Sequence, residues 1–249
     1  MDLTVNQKEK QSNIISQDFE DLYLAVRSLE QRVYSDEQLL LLPDIDSSHI
    51  HSQEWKIRKR SCDDLMKYIG KKNRSLRILE IGCGNGWFSA RLAELKNTEV
   101  VGLDINRVEI EQAKNVFLKE NLTFKNEVFE PENFPDMSFD IILFAAAIQY
   151  FSSLNDILEK AQLCLAPYGE IHILDTNFYS AAASTQAALR TNDYYKIMGY
   201  PKMSDFYFHH QLSGLKSFDY KIVYNPKGLF NRLRKKSPFY RIIINKTKR

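Results

Sequence analysis

Residues 78–86 read Ile78-Leu79-Glu80-Ile81-Gly82-Cys83-Gly84-Asn85-Gly86. A short apolar β-rich run leads into three alternating glycines, and a helix-forming stretch follows. Few folds use such a junction. Glycine admits positive φ and lets a ligand approach the backbone with no Cβ in the way. In open α/β sheets this junction lies at the carboxyl end of a strand, where ligands bind.

A second residue narrows the reading. Asp104 closes the next apolar run, Val100-Val101-Gly102-Leu103-Asp104, 22 residues after Gly82. An acid about 20 residues beyond the loop, at the tip of the adjacent strand, is placed to hold ribose hydroxyls, and a carboxylate can accept from two of them. The dinucleotide fingerprint Gly-x-Gly-x-x-Gly is not met, because position 87 is Trp87, and no Lys-Ser/Thr pair follows to make a phosphate loop. Glu80, two residues before the first glycine, would repel a pyrophosphate and suits a cationic ligand. S-adenosylmethionine carries an ammonium and a sulfonium and no phosphate, so the charge pattern favours it.

The rest of the chain supports an α/β frame. Helical spacing appears over Asp18–Val33, with Phe19, Leu22, Tyr23, Val26 and Val33 on one face, and over 52–70, with Trp55, Cys62, Leu65, Met66 and Ile69 inside. A looser stretch around Pro43 separates the two. Strand-like runs at 77–81, 99–105, 122–129, 139–144 and 170–174 alternate with helical segments at 86–95, 106–117 and 153–166. Such alternation specifies a parallel sheet with helices on both faces. After Asp175 a helix at 181–198 and an aromatic stretch precede two strands, 220–224 and 240–244, too close for a full crossover helix. The expected fold is a doubly wound seven-stranded α/β sheet, mostly parallel with an antiparallel edge strand. Residues 1–75 form a helical segment on the lid or substrate side. Residues 76–249 form the main domain, with an insertion at about 177–215.

At this point the sequence resembles the class I S-adenosylmethionine-dependent methyltransferases, over roughly residues 76–176. Glu80 to Gly86 looks like that family's first motif. The resemblance implies that Gly82, Cys83, Gly84 and Gly86 contact the methionine part of the cofactor, that Glu80 reaches its ammonium, and that Asp104 and Ile105 take the ribose and the adenine edge. Glu130-Pro131-Glu132-Asn133-Phe134-Pro135 resembles the family's Asp-Ala-Glu-x-Leu-Pro stretch, which puts Glu130 at the adenine amino group. Pro131 departs from that pattern, for it has no N–H to give the ring. Ala145 to Tyr150 corresponds to the end of the fourth strand, lining the reaction centre. Arg58 is a candidate for the methionine carboxylate.

Methyl transfer from a sulfonium is an in-line displacement whose main demand is alignment. A base helps where the nucleophile must lose a proton. His209 and His210 are the candidates for that role, whereas His172 sits inside a strand and reads as structural. The fourth strand ends Phe144-Ala145-Ala146-Ala147-Ile148-Gln149-Tyr150, without the Asn/Asp-Pro-Pro-Tyr signature of amino-group methylation. Gln149, Tyr150, Trp55, Tyr179 and Tyr195 are candidates for an aromatic-lined acceptor pocket.

Composition sets the limits. With 34 Lys+Arg against 32 Asp+Glu the net charge is +2, so nucleic acid is not demanded, although Lys56–Arg60, Arg232–Lys236 and the tail residues Lys246, Lys248 and Arg249 are locally basic. Three scattered cysteines suit neither a metal site nor a disulfide framework. No leader or membrane-length apolar run is visible, and a cytoplasmic location is expected. Three functions follow: a methyltransferase for a small organic molecule, with oxygen as the favoured acceptor atom; an RNA or protein methyltransferase; and a cofactor-binding module without turnover. Oligomeric state is left open.

Overall fold

The computed structural model describes residues 18–134, 138–228, 231 and 237–247. Helix α1 covers residues 18–29. It is followed by α2 (Asp36–Leu41), α3 (Ser52–Gly70), β1 (Leu76–Ile81), α4 (Trp87–Leu92), β2 (Thr98–Asp104), α5 (Arg107–Val116), β3 (Leu122–Asn126), β4 (Phe139–Ala145), α6 (Leu154–Leu163), β5 (Leu165–Thr176), α7 (Ala181–Ile197), β6 (Tyr220–Tyr224) and β7 (Tyr240–Asn245).

The seven strands form one sheet in the order β3-β2-β1-β4-β5-β7-β6. The first five run parallel. β7 is antiparallel to both of its neighbours. The antiparallel strand therefore lies one place in from the edge, and β6 is outermost. The signal for this order was the continuous run Ile242-Ile243-Ile244 of β7, buried on both faces as an inner strand is, against Tyr220-Lys221-Ile222-Val223-Tyr224 of β6, which stays partly exposed.

Period-2 alternation divides the strand residues between two cores. Ile78, Val100, Ile141 and Leu143 pack with Trp55, Cys62, Leu65 and Ile69 of α3, with Phe88 of α4 and with Ile110 of α5. Leu79, Ile81, Val101, Leu103 and Phe144 face α6, through Leu154, Ile157, Leu158 and Ala161. Burying one Leu or Ile side chain contributes about 1.5–3 kcal/mol, so these faces fix the register. Capping residues set the helix starts: the side chains of Asn106 and Ser153 each accept from the backbone three residues on, at Glu109 and Asp156. α2 falls in the stretch read above as loose. Its Ser35-x-x-Gln38 capping box was the available signal.

A third, smaller cluster joins Val26 of α1 to Tyr195 and Met203, with Phe19, Tyr23, Tyr150 and Tyr207 around it. It lays α1 and α7 over the carboxyl ends of the parallel strands. Among the described residues, no helix is long and apolar enough to cross a membrane.

Candidate active site

Two cavities meet at the glycine loop. The first, about 540 Å³, is mostly apolar and is lined by Ile81, Leu103, Asp104, Ile105, Val128, Phe129, Phe151 and Phe206 among others. The second, about 560 Å³, is more polar and includes Glu80, Cys83, Trp55, Arg58, Ala145, Gln149, Asp175, Tyr179 and Tyr195. Tyr23, Gly82, Gly84, Ala146 and Tyr150 line both.

The loop is shaped by backbone that only glycine takes readily. Gly82 has φ +74°, and a Cβ there would stand 2.5 Å from Cβ of Ala147. Gly86 has φ +76° and caps α4, and its Cβ would meet the Phe124 ring at 2.5 Å. Gly86 lines neither cavity, so its role is to let the loop pack on the sheet rather than to touch a ligand.

Asp104 ties the second strand to the loop. Its Oδ2 accepts from the Gly84 amide at 2.7 Å, and its Oδ1 accepts from the Asn106 amide at 2.8 Å. A carboxylate has about four acceptor sites, so lone pairs are left for a ligand. Burial pushes this carboxyl up, against the pull of the backbone amides. Glu80 is 2% exposed. It accepts from Ser89 Oγ at 2.5 Å, and burial pushes it up to about 8. Glu109 lies beneath the loop, 3.2 Å from where a Cβ of Gly84 would be. Its Oε2 is buried without a hydrogen-bond partner, and burial pushes the carboxyl up to about 7 against the pull of Arg27.

Several sequence candidates converge here. Glu80, Gly82, Cys83, Gly84, Asp104, Ile105, Ala145, Arg58, Gln149, Tyr150, Trp55, Tyr179 and Tyr195 all line one or both cavities. Trp55 donates from Nε1 to the Tyr34 hydroxyl at 2.8 Å, which fixes its ring in the wall. Arg58 is engaged, pairing with Glu54 at 2.8 Å, and Glu54 is also held by Arg32 at 2.6 Å.

Others do not reach the cavities. Glu130 turns outward and pairs with Lys160 at 2.8 Å, because the one-turn helix Pro131–Asn133 redirects the chain. Glu127, Val128 and Phe129 line the first cavity in its place. His210 is buried and bonded to the Ile148 carbonyl at 3.0 Å. His209 bonds Thr191 Oγ1 at 2.9 Å and packs its ring on Tyr179 and Tyr207. Burial lowers both histidines, and neither borders the space in which an acceptor would sit. His172 pairs with Glu170 inside the sheet, as its strand position suggests.

The site also holds residues that sequence reading passed over. Tyr23 and Arg27 of α1 lie against the loop. Burial works against the Arg27 charge, but Tyr23 and Glu109 hold its pKa above the usual range, and its Nε has no hydrogen-bond partner. Two non-glycine residues at strand ends, Ala146 (φ +54°) and Asp175 (φ +53°), adopt left-handed backbone. Strain of this kind gathers at functional sites.

A cradle emptied of Cβ atoms, a half-buried acid at the tip of the second strand and a second, buried acid before the loop together fit S-adenosylmethionine. Fold and site define a class I methyltransferase. A family model described as a methyltransferase domain matches residues 72–243, and the chain belongs to this S-adenosylmethionine-dependent family. It is 22% identical over 209 residues to the O-methyltransferase rstn1 of Aspergillus nomiae, covering 78% of this chain and 92% of that one. It is 32% identical over 117 residues to a malonyl-[acyl-carrier protein] O-methyltransferase of Ilyobacter polytropus, covering 46% of this chain and 45% of that enzyme. Among solved structures, the plantazolicin methyltransferase BpumL with SAH and a desmethyl substrate analog matches with TM-score 0.56 at 18% identity, over 94% of this chain and all of that one. The CurJ carbon methyltransferase matches with TM-score 0.59 at 16% identity, over 99% of this chain and 72% of that one. At such identities the structural likeness speaks for the fold.

Proposed function

We infer that this chain methylates a small organic molecule, with oxygen as the acceptor atom, by direct in-line transfer. The observation that carries this reading is the pair of joined cavities. One is apolar and flanked by Asp104. The other is polar and walled by Tyr150, Tyr179, Tyr195 and Tyr207, and the two share the glycine loop. Their volumes fall in the range of about 300–1,000 Å³ typical of small-ligand sites.

The cofactor supplies a methyl group already activated on a sulfonium. The chain's task is to hold it and to align an acceptor. Asp104 takes the ribose hydroxyls, and Ile105, Val128 and Phe129 bracket the adenine. Gly82 and Gly84 let the methionine part lie against the backbone, and Glu80 faces its ammonium. Arg27, half-buried beside the loop with its Nε shielded from solvent, holds the carboxylate. Arg58 is less suited to that role, because Glu54 already occupies it. α1 serves as a lid over both cavities, and residues 177–215 wall the acceptor side. Among the basic stretches, Arg58 and Lys59 are committed to ion pairs with Glu54 and Asp44, and Lys56 beside them is exposed. Arg232–Lys236, Lys248 and Arg249 lie outside the described residues.

Calorimetry with S-adenosylhomocysteine tests the cofactor site. Transfer of a trideuteromethyl group to a defined set of phenols, alcohols, carboxylic acids and amines tests the acceptor. Tight cofactor binding without transfer to any of them would refute the small-molecule reading.

A further inference from the structure

β5 ends at Leu174-Asp175-Thr176, and Asp175 combines three features that packing alone does not explain. Its backbone is left-handed, at φ +53°, which a non-glycine residue holds only where its surroundings enforce it. The residue is 7% exposed. Its Oδ1 accepts from Ser61 Oγ at 2.6 Å, while Oδ2 is buried with no hydrogen-bond partner among the described residues. A buried carboxylate oxygen without a partner is costly, and an apolar residue would satisfy this position better if the role were structural.

Asp175 lines the polar cavity, as do Asn177 and Tyr179 just beyond the end of β5. The charged groups acting on it, Arg58 and Glu54, both come from α3 and oppose one another, the Arg58 cation favouring the carboxylate and the Glu54 anion disfavouring it. Burial dominates and pushes the Asp175 carboxyl up to about 6. At neutral pH it is ionised yet more basic than an ordinary aspartate, which suits a general base.

We propose that Asp175 is the proton acceptor for a hydroxyl-bearing substrate, an assignment that rests on reading the cavity as a site of small-molecule O-methylation. The hydroxyl proton passes to the Asp175 carboxylate as the oxygen lone pair forms the new C–O bond. The carbon–sulfur bond breaks with its electron pair leaving on sulfur, which cancels the sulfonium charge, and Asp175 later releases the proton to water. Ser61 acts as a positioning residue, holding one carboxylate oxygen.

The test compares wild type, Asp175→Asn and Ser61→Ala in trideuteromethyl transfer to the same defined acceptors across neutral and mildly acidic to alkaline pH, with S-adenosylhomocysteine affinity measured on each. Asparagine tolerates left-handed backbone, so Asp175→Asn keeps the fold, and its affinity for that ligand stays within about threefold. In wild type, the rate with a hydroxyl acceptor rises with pH and levels off above about 6. In Asp175→Asn, kcat falls by roughly 10²–10⁴-fold, and the residual rate keeps climbing into alkaline pH as the acceptor itself ionises. Ser61→Ala lowers kcat less, with KM little changed. A kcat within about threefold of wild type in Asp175→Asn overturns the assignment, as does a parallel loss of kcat and ligand affinity. Transfer to carboxylic acids only, which carry no proton to lose at neutral pH, overturns it as well. No transfer to any acceptor by a wild type that still binds S-adenosylhomocysteine sinks the O-methylation reading and this assignment with it.

Discussion

Glu80 sets stability against binding, and Glu80→Gln separates the two. In the free protein its described partner is Ser89 Oγ, and burial pushes the carboxyl from 4.5 up to about 8. For an acid raised on folding, the associated stability is full below the unfolded value and is lost as pH rises towards the folded one. Each unit is worth about 1.4 kcal/mol, so by pH 7 the loss amounts to about 3 kcal/mol. Glutamine does not titrate and can still bond Ser89, and burying its amide takes back about 1 kcal/mol. The free variant is therefore expected to be about 2 kcal/mol more stable at pH 7, a rise in Tm of about 4–8 °C for a chain of this size. Binding moves the other way. Without the carboxylate the ligand ammonium loses its counter-charge, and losing one partner of a buried charge pair costs about 2 kcal/mol or more, some 30-fold in affinity. Wild-type affinity for S-adenosylhomocysteine should strengthen by up to about tenfold per pH unit on approaching 8 from below, whereas the variant should show no such slope. Thermal melts with and without ligand, and calorimetry at several pH values, read all three. A free variant no more stable than wild type, with unchanged affinity and the same pH slope, would mean that Glu80 neither opposes folding nor faces the ligand ammonium.

Three further outcomes can be checked. Arg27→Met should weaken S-adenosylhomocysteine binding by about tenfold or more and leave 5′-methylthioadenosine, which lacks the amino-acid part, unaffected; Arg58→Met should leave the binding of both ligands unchanged, and equal losses for both ligands with Arg27→Met would make Arg27 merely structural. Gly82→Ala forces a Cβ to 2.5 Å from Ala147 at φ +74° and should cost about 2–4 kcal/mol in denaturant unfolding; a cost under about 1 kcal/mol would show that the loop relaxes freely. His209→Ala should leave methyl transfer within about threefold of wild type, while His210→Ala should lose about 1–2 kcal/mol of stability with its buried hydrogen bond; a hundredfold loss of kcat in His209→Ala with ligand binding intact would return the base role to that histidine.

What could be read from the chain was what depends on local rules. The strand, glycine and acid order of residues 78–104 carries its own geometry, so the loop, Asp104 and the parallel half of the sheet followed from it. The helix starts at Asn106 and Ser153 were written in capping chemistry. What escaped depends on distant partners. Arg27 looks like an ordinary polar residue of an amphipathic helix, and only α1 lying over the glycine loop makes it part of the site. Asp175 looks like a strand-end acid until Ser61, 114 residues earlier, is seen holding it. Glu130 matched a motif by position, but the turn after it sends the side chain to Lys160. His209 and His210 were chosen for their chemistry, and the packing of Tyr179, Tyr207 and Thr191 puts them behind the cavity wall.

The place of β7 has a consequence for the order of events on the ribosome. Among the described residues β6 pairs only with β7, and β7 is the strand that joins it to β5. As the chain emerges from its N-terminus, residues 220–224 have nothing to pair with until 240–245 follow. Until then the outer edge of β5, with Ile171 and Ile173, is an open template of the sort that invites wrong partners. The apolar cavity, none of whose lining residues lies beyond Phe206, can take shape while that edge is still open. A nascent chain of this design can therefore hold its ligand site before its sheet is closed, and early cofactor binding would favour the incomplete form over its misfolded competitors.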